Sequence, residues 1–255
     1  MVLELAKIEA VIFDFIGTLT ELKGYSLEEA EQKLYKALFK EGFRIPEKDF
    51  FEAYNKSSDK FRLVRYQELV EVTNTVWISD ALNCLGFKTQ PEDPNLKTAL
   101  NIFFQGYLNS LQLKPCINQL LTSLRSNLKL GLISNFTYAP VIFASLRNLG
   151  INRFFNAVLV SEDVGWRKPN PKIFHEALKR LEIDAEETVY VGDSPKEDIG
   201  GASAAGMKTV FLPSQFYTLE DLNKSQIKPD LIVKDTCELA KNLPEFIKTM
   251  ENRSK

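Results

Sequence analysis

The chain has 255 residues, of which 44% are hydrophobic and 26% are charged, and its formal net charge is −2 at pH 7. These values are ordinary for a soluble globular protein and allow either one large domain or two smaller ones. The nearly balanced charge argues against nucleic-acid binding, which usually requires a basic surface. Cys84, Cys116 and Cys237 are few and far apart, so the sequence suggests neither a disulfide framework nor a zinc site.

Targeting signals are not apparent in the sequence. Glu4 and Lys7 interrupt the short apolar stretch at the start of the chain, and no cleavage site follows, so we expect no signal peptide. No apolar run approaches the roughly 20 residues that a membrane helix needs. We therefore expect a cytoplasmic protein with no membrane partner.

The first predicted element is a buried strand that leads into a carboxylate. An apolar run that includes Val11, Ile12 and Phe13 ends at Asp14, and a Gly-Thr pair follows at 17 and 18. Such a run is typical of a parallel-sheet strand that is buried on both faces. Asp14 would then lie at the carboxyl end of its strand, where open α/β sheets bind ligands.

The segment from Glu21 to about Leu113 has helical patterns and no convincing strand. Ser26 and Glu29 have the spacing of a capping box, with Ser26 as the N-cap. The predicted helices cover about 27–40, 47–60, 67–85 and 94–111. A single βαβ crossover rarely exceeds a few tens of residues. We therefore predict that residues 21–113 form an inserted helical domain; the alternative is a helical extension that only packs against the sheet.

Strands and helices alternate in the remainder of the chain. Strands are predicted at 129–133, 157–160, 188–191, 208–212 and 230–233. Helices are predicted at about 116–126, 140–149, 171–181, 197–205 and 236–248. This alternation predicts an α/β fold with a doubly wound parallel sheet and right-handed crossovers. Residues 1–20 and 114–255 would form this core domain.

Polar side chains follow four of the predicted strands. They are Asp14 after the first strand, Ser134 and Asn135 after the strand at 129–133, Lys168 in the loop after the strand at 157–160, and Asp193 and Asp198 after the strand at 188–191. Taken singly, these residues could be helix N-caps, helix-start acids or a solvated loop lysine. Their common position after strands favours one shared site.

In this order, the four motifs resemble those of the haloacid dehalogenase superfamily of aspartate-nucleophile hydrolases. The resemblance spans Asp14 to Asp198, and four ordered motifs are far more specific than any one of them. It implies a Rossmann-like core, with the helical insertion as a cap that closes over Asp14. It also implies a hydrolase of a small, phosphorylated molecule, and it leaves both a monomer and a homodimer open.

The chemistry of such a site centres on Asp14 and Lys168. Asp14 as the nucleophile would give an aspartyl ester or an aspartyl phosphate, which water then hydrolyses. A carboxylate that attacks an anionic phosphate needs positive charge nearby, and Lys168 can supply it. A divalent cation can supply more, and Mg²⁺ suits a set of carboxylate oxygens such as those of Asp14, Asp193 and Asp198.

The resemblance assigns roles to three further positions. The residue at position 16, here Ile16, would give the metal only its backbone carbonyl. Ser134 and Asn135 would hold a phosphate oxygen through a hydroxyl and neighbouring amides, as oxyanion donors do. Thr18 would add its hydroxyl, or would only stabilise the turn.

Ile16 departs from the pattern of phosphatases, which have a second Asp two residues after the nucleophile. Such a carboxyl group protonates the leaving oxygen and then activates water, a role worth roughly 10²–10⁴ in rate. Ile16 can do neither. We therefore expect a substrate whose leaving group needs no proton, such as an acyl or activated aryl phosphate, or an acid supplied by the cap or by the substrate.

The same substitution keeps other functions open. Haloacid dehalogenases of this superfamily also lack the second Asp, but they need no metal and depart from Gly-Asp in the fourth motif. Phosphonoacetaldehyde hydrolases have an apolar residue there and use a cap lysine as a Schiff base; Lys33, Lys36, Lys56 and Lys60 are available. A degenerate member that binds without turnover is the remaining alternative.

Overall fold

The computed structural model describes residues 7–252. Its strands are β1 (Ala10–Phe13), β2 (Thr20–Leu22), β3 (Leu111–Leu113), β4 (Lys129–Ser134), β5 (Ala157–Val160), β6 (Thr188–Gly192), β7 (Lys208–Phe211) and β8 (Leu231–Ile232). Its α-helices are α1 (Leu27–Lys40), α2 (Glu47–Glu68), α3 (Asn74–Cys84), α4 (Pro94–Ser110), α5 (Ile117–Leu124), α6 (Ala139–Asn148), α7 (Ser161–Val164), α8 (Pro171–Leu181), α9 (Gly201–Ala204), α10 (Leu219–Ser225) and α11 (Thr236–Asn252). A π-helical turn, Pro195–Gly200, precedes α9.

Six parallel strands form the predicted core sheet, in the order β5-β4-β1-β6-β7-β8. In the centre of the sheet, Phe13 of β1 lies opposite Leu132 of β4 on one side and Val191 of β6 on the other. The carboxyl ends of β1, β4 and β6 therefore meet at one edge. The prediction of an α/β fold with a doubly wound parallel sheet is confirmed.

Side chains of successive strand residues enter two separate apolar layers. Val11 and Phe13 pack into a large cluster that includes residues of α5, α6 and α11. Ala10 and Ile12 pack into a second cluster with residues of α8 and α9. Alternate residues of a strand point to opposite faces, so a strand covered on both faces must be apolar throughout. This requirement explains the uninterrupted apolar run before Asp14.

The helical insertion contains α1 to α4, with α1 packed on α4 and α2 packed on α3. Ser26 caps α1 as predicted, since its hydroxyl accepts a hydrogen bond from the Glu29 amide at 3.2 Å. The expectation of no strand in this segment is wrong at its two ends. β2 and β3 pair in an antiparallel ribbon, outside the six-stranded sheet, where the chain leaves and re-enters the core.

The boundary between the second and third helices of the insertion also differs from the prediction. α2 continues to Glu68 and ends at Leu69, whose φ of 55° is left-handed, and α3 begins only at Asn74. The intervening residues 69–73 form a loop that contacts the core domain, because Val70 forms an antiparallel bridge to Trp166. Tertiary contacts outweigh the local apolar spacing here.

The expectation of no disulfide is wrong. Cys116 and Cys237 are bonded, and they join the residue before α5 to the first turn of α11 across a separation of 121 residues. Sequence spacing could not show this, because the packing of α5 against α11 brings the two residues together.

Among residues 7–252, no helix is both long and apolar enough to cross a lipid bilayer. Residues 1–6, which include most of the stretch considered for a signal peptide, and residues 253–255 lie outside the residues that the structure describes.

Candidate active site

Lys168 joins the polar groups at the carboxyl edge of the sheet. Its side chain is 2% exposed, and Nζ donates to Asp14 Oδ1 at 2.8 Å and to Asp198 Oδ1 at 2.6 Å. It also donates to the Ile133 carbonyl at 3.1 Å and to the Tyr190 hydroxyl at 3.0 Å. Burial favours the neutral amine, but Asp14 and Asp198 outweigh this effect and hold the pKa of Lys168 well above its ordinary value. A permanent cation therefore lies beside Asp14.

One carboxylate oxygen of Asp14 accepts a hydrogen bond, and the other accepts none. Oδ1 accepts the hydrogen bond from Lys168, while Oδ2 is buried and has no partner among the described residues. Burial raises the pKa of Asp14 to about 6, against the opposing effect of Lys168 and with a further contribution from Asp198. The Thr18 hydroxyl is also buried, and it makes no hydrogen bond of normal geometry with the described residues, although it lies close enough to Asp14 to lower the pKa of that carboxyl slightly. Unpaired buried oxygens carry a free-energy cost unless a ligand satisfies them.

Asp14, Asp193 and Asp198 form a compact cluster of carboxylates, each offering one oxygen within 4.8 Å of the others. Burial, Asp14 and Asp198 raise the pKa of Asp193 to about 8. Carboxylates this close repel one another unless a cation or protons compensate the charge. Hard carboxylate oxygens are the ligands that Mg²⁺ prefers.

The two later aspartates differ in how their oxygens are used. Asp198 accepts from Lys168 and Tyr190 through Oδ1, and from the backbone amides of Asp193 and Ser194 through Oδ2. Asp193 accepts from Ser214 through Oδ2, and Oδ1 has no partner among the described residues. Asp198 therefore orients Lys168 and the backbone of the fourth motif, whereas Asp193 keeps one carboxylate oxygen free of hydrogen bonds from the described residues.

The second motif is placed beside the first. Ser134 ends β4 and is 1% exposed, and β4 pairs directly with β1. The Asn135 side chain holds the neighbouring loop: its amide donates to the Lys168 carbonyl at 3.0 Å and to Glu197 at 3.1 Å, and its oxygen accepts from the Lys168 amide at 2.8 Å. Asn135 therefore has only its backbone left for a phosphate oxygen.

Ile16 contributes no polar side chain to this edge, and it packs half-buried against the large apolar cluster. Its carbonyl accepts no hydrogen bond from the described residues, so that oxygen is available to a cation. Gly17, the next residue, has a φ of +98°, and a Cβ there would collide with the Asp193 carboxylate. Glycine thus allows the nucleophile loop to approach the fourth motif.

Comparisons with known proteins agree with this geometry. A family model described as haloacid dehalogenase-like hydrolase matches residues 8–206. The chain belongs to this family.

Among its relatives, glyceraldehyde 3-phosphate phosphatase of Methanopyrus kandleri is 32% identical over 249 residues, which cover 94% of this chain and 99% of the relative. The phosphatase of the same name from Methanothermobacter thermautotrophicus is 41% identical over 92 residues, 36% of this chain and 40% of the relative. A solved 2-haloacid dehalogenase from Pseudomonas syringae pv. Tomato DC3000 matches with a TM-score of 0.65 and 25% identity, over 94% of this chain and 99% of that chain. The prediction of a hydrolase of this superfamily is confirmed.

The hydrolase also contains a buried charged cluster that the sequence did not reveal. Glu71, in the cap loop, accepts from Arg167 at 2.9 and 3.1 Å, from Arg65 at 2.9 Å and from the Ser161 hydroxyl. We call these four residues the Glu71 cluster. Arg167 directly precedes Lys168, so the cluster connects the helical insertion to the loop that carries Lys168. Only the buried pairing distinguishes these residues from ordinary surface charges.

Lys114 is a further residue near the site of this haloacid dehalogenase-like hydrolase that no sequence pattern singles out. It lies half-buried where the chain returns from the helical insertion to the core, and its Nζ donates to the Gly17 carbonyl. A single lysine between a predicted helix and a proline has no pattern that would single it out.

Proposed function

We propose that this hydrolase is a Mg²⁺-dependent phosphatase of a small phosphorylated metabolite that acts through an aspartyl phosphate on Asp14. One observation carries the proposal: Asp14 presents a buried, unpartnered Oδ2 while Lys168 neutralises its other oxygen. The name of the Methanopyrus kandleri relative, a phosphatase of glyceraldehyde 3-phosphate, supports the substrate class.

The residues present fit a magnesium ion. Asp14 and Asp193 have free oxygens, the Ile16 carbonyl is unengaged, and Asp198 lies in the same cluster. The raised pKa of Asp193 is further support, since a bound cation would relieve the repulsion that causes it. When bound, the ion would offset the charge between the carboxylates and the phosphate.

The chain's own residues would carry the reaction in two steps. Asp14 Oδ2 attacks phosphorus, the bond to the leaving oxygen breaks, and the phosphoryl group is held as an aspartyl phosphate. Lys168 keeps Asp14 ionised and stabilises the negative charge of the transferring group. The Ser134 hydroxyl and the backbone amide of Asn135 would bind a phosphate oxygen. Water then attacks phosphorus and regenerates the Asp14 carboxylate.

We further propose that residues 21–113 act as a cap over this site. The antiparallel ribbon of β2 and β3 provides one two-stranded connection between the insertion and the core. Caps of this kind exclude water from the reacting groups and complete the site when they close.

The remaining alternatives have less support. A dehalogenase needs no cation, yet this edge brings three carboxylates together with a single buried lysine. A phosphonate hydrolase of the type considered above needs a cap lysine at the reaction centre. The four lysines that sequence analysis considered for that role are all exposed.

A substrate screen tests the proposal. Phosphomonoesters, acyl phosphates, phosphonates and 2-haloacids are each offered with Mg²⁺ and with a chelator. We expect hydrolysis of phosphomonoesters that is lost on chelation and restored by added Mg²⁺. Turnover of 2-haloacids that survives exhaustive chelation would contradict the proposal and favour a dehalogenase.

A further inference from the structure

Lys114 is held against the nucleophile loop at two points. Its backbone amide donates to the Leu19 carbonyl at 3.0 Å, and its Nζ donates to the Gly17 carbonyl. Both acceptors belong to the turn that follows Asp14. Lys114 also follows β3 directly, so it lies at the hinge between the cap and the core. The hinge therefore places an ammonium group beside the residue that follows Ile16.

This ammonium group has no carboxylate partner among residues 7–252, and two of its three N–H bonds are unused there. Burial lowers the pKa of Lys114, although the more distant charges of Asp193, Glu21 and Asp14 oppose the effect. A half-buried lysine that is bound only to a backbone carbonyl contributes little stability. Its position is better explained by a group that it meets only when substrate is bound.

We propose that Lys114 is the general acid and base of this hydrolase, in the role that Ile16 cannot fill. The proposal rests on the phosphatase function proposed above. It makes Lys114 a catalytic residue, and it assigns alkyl phosphates to the substrates of the enzyme. Without a proton donor, only acyl and activated aryl phosphates would react well.

The proton balance is complete in both steps. Asp14 Oδ2 forms a bond to phosphorus, the electron pair of the breaking P–O bond goes to the leaving oxygen, and a proton from Lys114 Nζ makes that oxygen an alcohol. The neutral amine of Lys114 then takes a proton from the water that attacks the aspartyl phosphate. The P–O bond to Asp14 breaks, inorganic phosphate is released, and the Asp14 carboxylate and the Lys114 ammonium are restored.

The physical chemistry of Lys114 suits this role. A general acid is most effective when its pKa lies near the working pH, and burial shifts Lys114 in that direction. Its flexible four-carbon stem can reach outward from the Gly17 carbonyl without movement of the backbone. The hinge position also means that closure of the cap would bring the amine and the substrate together.

The test is the dependence of rate on the leaving group. Phenyl phosphate, 4-nitrophenyl phosphate and glycerol 3-phosphate are compared in the full-length enzyme with Mg²⁺. We expect Lys114→Met to lower kcat/KM for glycerol 3-phosphate by about 10²–10⁴. The same variant should change 4-nitrophenyl phosphate turnover only a few-fold, because nitrophenolate leaves without a proton; this activity also verifies that the variant is folded.

Two further variants distinguish proton transfer by Lys114 from a purely electrostatic role and from a structural role. Lys114→Arg keeps the positive charge but cannot release a proton, so it should be as poor as Lys114→Met with glycerol 3-phosphate. Lys129→Met is the matched control. Lys129 is also half-buried and also donates to a backbone carbonyl, that of Leu181 at 2.7 Å, but it lies at the amino end of β4. The Lys129→Met variant should leave the turnover of all three phosphate esters unchanged.

Four results would overturn the inference. An equal loss with every substrate in Lys114→Met would show an electrostatic or structural role, as would recovery of glycerol 3-phosphate turnover in Lys114→Arg. Aryl turnover by the wild type with negligible alkyl turnover would show that no proton donor exists, and would leave the proposed function intact. A wild type inert toward all phosphomonoesters would remove the proposed function together with the inference.

Discussion

At the scale of single residues, the site depends on one buried lysine between two carboxylates. Lys168 bonds Asp14 and Asp198 at once, and all three side chains are shielded from water. Buried charges remain ionised only when they are paired and hydrogen bonded. Lys168 therefore favours the ionised form of Asp14, and Asp198 holds Lys168 in place.

Asp14→Asn should abolish turnover of phosphomonoesters while it leaves the fold intact. The amide is nearly isosteric with the carboxylate but is a poor nucleophile, so we expect kcat to fall by at least about 10⁴-fold. Steady-state kinetics with 4-nitrophenyl phosphate measures the loss, and circular dichroism controls for folding. Substantial activity in this variant would exclude Asp14 as the nucleophile.

Magnesium binding should release protons near neutral pH. The pKa of Asp193 is raised to about 8, so the metal-free protein holds a proton there at pH 7 that a cation must displace. Because this folded-state pKa lies above the ordinary value, the metal-free protein should also lose stability as the pH rises from about 4 to 8. Mg²⁺ should reverse that loss.

Calorimetric titration with Mg²⁺ at pH 7 in two buffers of different ionisation enthalpy measures the proton release. We expect about 0.5–1 proton per ion. Asp193→Asn should release fewer protons and bind Mg²⁺ more weakly. Heats that do not depend on the buffer would contradict the prediction.

At the scale of elements, the loop between α2 and α3 connects the cap to the core. The side chain of Glu71 in this loop is 1% exposed, and it pairs with Arg65 of α2 and with Arg167 of the core. Removal of one partner of a buried ion pair costs more than the pair contributes, because the remaining charges are left unpaired. The loop therefore couples the seating of the cap to the position of Lys168.

Glu71→Ala should lower the free energy of unfolding by about 3–5 kcal/mol, and it should raise KM because the cap is seated less firmly. Urea denaturation and steady-state kinetics measure the two effects. Glu220→Ala is the control, since Glu220 forms an exposed pair with Lys224 on α10, and its removal should cost at most about 0.5 kcal/mol. Equal stability losses in the two variants would show that the Glu71 cluster does not stabilise the contact between the insertion and the core.

At the scale of the whole molecule, the Cys116–Cys237 bond ties the last helix to the hinge side of the core. Cys116 lies two residues after Lys114, so the bond also anchors the segment that carries the proposed acid. Cross-linking restricts the unfolded chain, and a loop of this length implies about 4–5 kcal/mol in the chain-entropy description. A reducing compartment would remove that contribution.

The double variant Cys116→Ser and Cys237→Ser should unfold at a clearly lower urea concentration than the oxidised protein, whereas Cys84→Ser should not, because Cys84 is exposed and unpaired. Thiol titration of the denatured protein checks the bond directly. We expect one thiol before reduction and three after it, from the three cysteines of the chain. Three thiols in both samples would show that the bond does not form.

Local sequence patterns were sufficient to predict the fold class and the ends of the strands that carry the site. Strands buried on both faces require apolar runs, and the carboxyl ends of parallel strands meet at one edge. For this reason Asp14, Lys168 and Asp193 were predictable as neighbours, although they come from distant parts of the chain. Helix α8 was predicted with its observed bounds, because its apolar spacing and its initial proline are local signals.

Which polar groups meet depends on contacts between residues that are far apart in the chain. Lys114 and Gly17 are 97 residues apart, Glu71 and Arg167 are 96 apart, and Cys116 and Cys237 are 121 apart. The hydrophobic periodicity of the sequence indicates which face of a helix or strand is buried, but it does not indicate which other element packs against that face. The loop after α2 is a further example, since its apolar spacing predicted part of a helix at 67–85, whereas Val70 pairs with Trp166 and the helix begins only at Asn74. Local sequence thus specifies the elements, and packing between distant elements completes the site.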